Sequence, residues 1–300
     1  MMGFGALTKR NMKMFFKDKG LFFTSLITPL ILLVLYITFL GNVYRDSFAA
    51  GFPQGIEVSD KLLDAAVGGQ LVSSLLAVCC VTVAFCSNML MVQDKVTGTQ
   101  KDLLITPVKK TTMALSYYIA SFVATLIICL IAAGAGFVYL YKIGWYLSAK
   151  DVLCIFFDVF LLVMFGTALS SIINFFLSTQ GQISAVGSIV SAMYGFICGA
   201  YMPISQFSEG LQKVLSFLPG TYATSLLRNH AMRGVFAELK SDGCPKELID
   251  SMRDIVDCNI YFLDEKVQLS TMYYVLGGSV AILVIIYILM NILAKGKVKK

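Results

Sequence analysis

The sequence predicts an all-α polytopic membrane protein with six transmembrane helices. An amphipathic N-terminal interfacial helix precedes them, and an external re-entrant or amphipathic segment follows the fifth span. Three observations carry that prediction. Of 300 residues, 57% are hydrophobic and 14% charged, against roughly 45–50% and about 25% in a soluble domain. The mean hydropathy is +0.78. The charges are also segregated, leaving runs long enough to cross a bilayer, which takes about 20 residues at roughly 1.5 Å each. A soluble enzyme of this composition would expose apolar surface that water does not tolerate.

Taken in order, positions 1–19 place Lys9, Lys13 and Lys17 at every fourth residue, with Phe4, Leu7, Met14 and Phe15 elsewhere. This predicts a helix on the inner leaflet with its lysines toward anionic head groups. A solvated basic leader is the plainer alternative. Leu21–Leu40, Ala65–Val92, Thr111–Tyr141 and Val267–Ala294 carry no charge. Val159–Ser208 carries none either, but is too long for one crossing, and Asn174 with the polar stretch 178–182 divides it. The spans are placed at about 20–41, 70–92, 113–141, 152–177, 183–201 and 270–294 of one transmembrane domain. Barrel strands would alternate apolar and polar residues, and these runs do not.

Orientation follows from lysine and arginine near the spans. Lys9, Arg10, Lys13, Lys17, Lys19, Lys95, Lys101, Lys109, Lys110, Lys295, Lys297, Lys299 and Lys300 fall on one side, against Asp18, Asp94 and Asp102. Both termini are therefore expected in the cytoplasm of a multi-pass plasma-membrane protein. The net charge of +6 is a topology signal. No aromatic-interleaved basic patch points to nucleic acid.

The 42–69 loop, with Asp46, Glu57, Asp60, Asp64 and Pro53, is expected outside, as is the region 202–269. There Phe207, Leu211, Val214, Leu215 and Leu218 fall on one helix face that Pro219–Gly220 ends. A second amphipathic stretch starts at Pro245. It separates Cys244 from Cys258 by about 21 Å if straight, too far for a disulfide. Either that helix bends back or the two cysteines are not bonded to each other. The other six cysteines lie in spans as small apolar residues.

The sequence has no catalytic residues and no metal-ligand spacing. It contains no GxxxxGK[ST], so it is not expected to hydrolyse ATP by a P-loop of its own, and no cofactor is expected on this chain. The classes left are transporter, sensor or assembly protein, and ion-coupled carrier. A carrier would lean on Asp158, the charge within a span, which could bind a cationic group, relay a proton, or pair with Lys142, Lys150 or backbone groups. Gly187, Ser191, Gly195 and Gly199 recur every fourth residue on span five. This smooth stripe suits a dimer seam, the cavity, or packing within the subunit.

Two segments remain. The inner loop reads QDKVTGTQKDLLITPVKK (93–110), and the segment after span five reads GAYMPISQFSEGLQKVLSFLPGTYATSLLR (199–228). Together they resemble the ABC type-2 permeases, the membrane subunits of ABC exporters of type V architecture. Asp94, Gly98, Thr99, Leu103, Leu104, Thr106 and Pro107 match the inner motif, although the family often has acids where Val96 and Lys101 stand. Gly199, Pro203, Pro219, Tyr222 and Arg228 match the outer one. The resemblance implies a dimer of six-span subunits, homo- or heteromeric, energised by a separate P-loop ATPase. The 93–112 loop would couple the two, with Leu103 and Leu104 as the apolar pair. Substrate, of hydrophobic or amphipathic kind, would move outward by alternating access. Pro203, Phe207, Leu211, Pro219, Tyr222 and Arg228 would form the external roof.

Overall fold

The computed structural model describes residues 3–50, 59–263 and 265–293. Glu57, Pro53 and the tail lysines from Lys295 onward lie outside the described residues. The described chain is almost wholly helical, as a backbone in hydrocarbon must be when it has no water to bond.

Helix α1 (Phe4–Lys17) is amphipathic, and α2 (Lys19–Leu35) leaves it at 74°. Asp18 makes the corner, accepting a hydrogen bond from the Leu21 N–H. A π-helical turn, Tyr36–Leu40, continues α2 into α3 (Gly41–Ala50). The first helical course thus runs past the predicted end near residue 41.

At the centre stands α4 (Asp60–Val96), ten residues longer at its N-terminal end than the predicted span at 70–92. It packs against α2, α6 (Lys110–Ile143), α7 (Ala149–Phe176), α8 (Gln180–Ile197) and α10 (Pro219–Ser241). Its sequence is apolar or small on all sides, which fits a helix with no lipid-facing stripe. Contacts are close: a Cβ at Gly166 of α7 would lie 2.9 Å from the Cys80 carbonyl oxygen. Asn88 of α4 donates to Ser170 and Ser171 of α7 at 3.0 and 2.8 Å, and accepts from Ser121 of α6 at 3.2 Å. Satisfied polar bonds of this kind tie helices together where apolar association gains little over lipid.

The predicted break in the long apolar run is present. Helix α7 ends at Phe176, and α8 starts behind a capping box of Thr179 and Gln182. Lys95 donates to the carbonyls of Asn174, Phe175 and Leu177 at 2.8, 2.7 and 3.1 Å, satisfying the end of α7. The last helix is α12 (Leu269–Leu293), mostly lipid-facing in composition.

Among the described residues, α4, α6, α7 and α12 are each long and apolar enough to cross a membrane, and the bent α1–α2 pair makes up to five. Helix α8 is only 18 residues, with a polar first turn.

The region expected outside, 202–269, departs most from the sequence reading. The helix expected over 207–218 is only α9, Glu209–Leu215, preceded by a 3-10 turn, Ile204–Gln206. Pro219 does not end a helix; it opens α10, where its missing N–H costs nothing. Helix α10 is buried along most of its length against α4, α7 and α12. Helix α11 (Lys246–Ile255) begins after Pro245 as expected. A two-residue hairpin, Tyr261–Phe262 with Glu265–Lys266, leads into α12. Cys244 and Cys258 are both buried and both free thiols, and burial pushes the Cys258 thiol up to about 12.

Candidate functional site

Three places gather the residues singled out in the sequence: the loop between α4 and α6, the turn after α8, and the cleft between α2 and α8.

In the first, Thr97 closes α4 and Gly98 takes φ +83°, a conformation glycine adopts without strain. That reversal starts α5 (Thr99–Ile105). Thr106 ends it, its hydroxyl donating to the Leu103 carbonyl at 2.6 Å, and Pro107 blocks continuation. Leu103 and Leu104 do not form a pair. Leu103 packs inward against the cluster of Leu90, Met91, Met113 and Tyr117. Leu104 and Ile105 face out, 42% and 85% exposed. The exposed ridge is therefore Leu104–Ile105, since adjacent helix positions differ by about 100° and 103 points away from it.

Asp94 is not a surface acid. It is buried, bound by both terminal nitrogens of Arg10 and by the Tyr117 hydroxyl. The hydrogen bond to Asp94 raises the Arg10 guanidinium above its ordinary value. Next to it, Asn11 donates to Ser116 at 3.3 Å. The α1 helix is thus fastened to the base of α4 and α6. Arg10 and Tyr117 carry no motif that sequence reading could recognise, because their partner is 84 and 23 residues away.

At its C-terminal end, α8 stops at Ile197 and Gly199 adopts φ +74°. The Gly199 carbonyl accepts from Arg228 of α10. Arg228, 1% exposed, also reaches the Ser74 hydroxyl and the Asp257 carboxylate, both at 3.2 Å. Asp257 in turn accepts the backbone N–H groups of Ile204 and Ser205. Burial raises its pKa above the usual carboxylate range, against the opposing pull of Arg228 and the two N–H donors. Pro203 is buried beside this knot, Tyr222 donates to the Ser216 carbonyl, and Gln212 donates to that of Phe207. Leu211 and Val214 point away from the chain. Asp257 went unrecognised in the sequence; only its partner Arg228 was named.

Arg228, His230 and Arg233 of α10 each meet an acid: Asp257, Asp158 and Asp151, respectively. Asp158 pairs with neither Lys142 nor Lys150 in its hydrogen bonds. Its oxygens take His230 Nδ1 and the Tyr273 hydroxyl, each at 2.6 Å. His230, within the 202–269 region expected outside, is buried because α10 folds into the bundle.

The cleft beside α8 consists of two adjoining cavities of about 560 and 510 Å³ that share Ser188 and Ser191. The outer one is apolar, with Leu32, Tyr36 and Phe196; the inner one is mixed, with Asp18, Gln93 and Gln180. Ser191 and Gly187 of the small-residue stripe line it. Gly195 instead lies under the Tyr201 ring, whose Cζ would be 2.3 Å from an added Cβ, and Gly199 lies beyond the helix. Much of the stripe is thus engaged within the chain.

A family model described as "ABC-2 family transporter protein" matches residues 53–294. No curated protein and no solved structure matches the chain. The match covers α4 to α12, including the α5 loop and the Gly199–Arg228 turn, and begins after α1–α3. The chain therefore belongs to the ABC-2 transporter family, as a multi-pass membrane permease component of an ABC transporter, a kind of subunit that partners an ABC ATPase.

Proposed function

We propose that this permease exports a hydrophobic or amphipathic substrate, as one half of a permease dimer driven by a separate ATPase that docks on α5. The observation that carries this reading is the Leu104–Ile105 ridge. It is an apolar surface at the tip of a short helix between two long spans, on the side where the basic residues cluster. The seven-residue α5 is short and rigidly bounded by Gly98 and Pro107, so a push on the ridge would move α4 and α6 rather than flex a loop. Arg10–Asp94 would pass that movement on to α1 and α2.

Six crossings follow if the α2–α3 course and α8 each span, with both termini in the cytoplasm of the plasma membrane. The cleft between α2 and α8 is the candidate substrate path, and its apolar outer half suits a hydrophobic moiety. The Arg228–Asp257 knot, with Pro203, Pro219 and Tyr222 around it, would hold the external roof over that path. Phe207 and Leu211 would seat the roof's rim in the outer leaflet. ATP and magnesium would sit on the partner alone. Both Asp158 oxygens are engaged by His230 and Tyr273, which favours a helix-holding role over an ion-coupled carrier.

The test is co-reconstitution with the ATPase in proteoliposomes. Changing Leu104 and Ile105 together to Asp should abolish ATP-dependent export or uncouple hydrolysis from it, with insertion retained. Normal coupling in that variant would refute the reading.

A further inference from the structure

Resting on the reading of α5 as the ATPase-docking element, we infer that the ATPase surface receiving it is an apolar groove rimmed by carboxylates, recognised through Lys101 and Lys109. The argument begins with angular placement. At about 100° per residue, position 101 falls between 104 and 105 around the helix, and 103 falls opposite. The burial pattern agrees: Leu103 packs inward, while Lys101, Leu104 and Ile105 are exposed together. Any surface that covers the Leu104–Ile105 ridge therefore also covers Lys101. An ammonium taken out of water without a partner is costly, and a like charge opposite it costs more. A carboxylate at the groove's rim would offset that cost, and a lysine stem long enough to lie along the ridge brings its ammonium to that rim.

The charges around the ridge point the same way. Asp94 is withdrawn, buried and engaged by Arg10 and Tyr117. Between 97 and 109 the exposed charges are Lys101, Lys109 and Asp102. Asp102 sits about 100° around the helix from Lys101, at the edge of the ridge rather than in it. Lys109 is exposed where the chain leaves Pro107 for α6. The face offered to a partner is apolar at the middle and net positive.

The experiment uses the permease in nanodiscs of phosphatidylcholine alone, with the ATPase subunit it assembles with, and reads binding across a salt series. Wild-type affinity should fall as salt rises, because exposed ion pairs are screened. Lys101→Glu with Lys109→Glu should weaken low-salt binding about tenfold or more and flatten or invert the salt dependence, since two attractions become repulsions. Lys101→Gln should lose less. Thermal stability should not move, because both lysines are exposed. Unchanged or tighter binding by the double reversal overturns the inference. So does a salt dependence that appears only when anionic lipid is added, which would assign the lysines to the bilayer. Ile105→Asp separates the two levels. If it abolishes binding while the lysine changes do nothing, the acidic rim is wrong and docking on α5 stands. If it too leaves binding intact, docking on α5 is itself wrong.

Discussion

Replacing Asp257 with Ala removes the counter-charge of an arginine that is 1% exposed. Arg228 would keep the Gly199 carbonyl and the Ser74 hydroxyl as acceptors but no anion. Breaking a buried pair from one side costs about 3–5 kcal/mol. The Ile204 N–H, in a buried residue, would also lose its acceptor, at about 1–3 kcal/mol. Ser205 is exposed and can turn to water. The expected destabilisation is therefore about 4–8 kcal/mol. Arg228→Met should cost less, because Asp257 keeps two backbone donors and can take up a proton. The double variant should cost less than the sum of the two, by about 2 kcal/mol or more, since the residues share one bond and one burial penalty. Unfolding in detergent, followed by a tryptophan-independent probe such as helicity, gives all three values. A cost below about 1 kcal/mol for Asp257→Ala, or strict additivity in the double variant, would refute the claim that this pair holds the turn after α8.

Four further outcomes are expected. Leu103→Ala should destabilise the inner bundle by about 2–3 kcal/mol with ATPase affinity little changed, whereas Ile105→Asp should do the reverse; melting and binding measured on both variants distinguish them. Arg10→Ala should free α1 from α4 and α6, seen as faster proteolysis within residues 4–17 than in wild type, and equal rates would show that the ion pair does not hold it. Gly195→Leu should disrupt the outer end of α8 by clashing with the Tyr201 ring, and adding Tyr201→Ala should recover part of the loss; no recovery would place the clash elsewhere. A cysteine at Gln100 should be labelled only after permeabilisation and one at Lys240 in intact cells, with the opposite pattern inverting the proposed orientation.

The membrane class, the apolar runs and the break at 178–182 were legible because hydropathy is a local property: enough apolar residues in a row have few other uses. The helix start at Pro245 was visible too, whereas Pro219 was expected to end a helix rather than open one. Proline suits a helix start as well as the residue after a helix, and only its neighbours in space decide between them. Helix α10 was missed for a related reason. Arg228, Asn229, His230 and Arg233 make it look like a solvent-facing segment, yet Asp257, Arg253 and Asp158 bond the first three within the bundle, and Arg233 meets Asp151 at its surface.

The α5 loop shows the same division on a smaller scale. Its position, its start at Gly98 and its stop at Thr106–Pro107 could be read from residue types, because each acts on the backbone next to it. Which of Leu103, Leu104 and Ile105 faces a partner could not, nor could the withdrawal of Asp94 beneath Arg10. Sequence alone determined that the chain is a membrane bundle and where its apolar runs break at 93–112 and 178–182, since bilayer thickness and backbone hydrogen bonding act on contiguous stretches. The tertiary structure alone decided which polar groups meet and which apolar ridge is left uncovered, since a buried charge can stand only where a distant segment brings its partner.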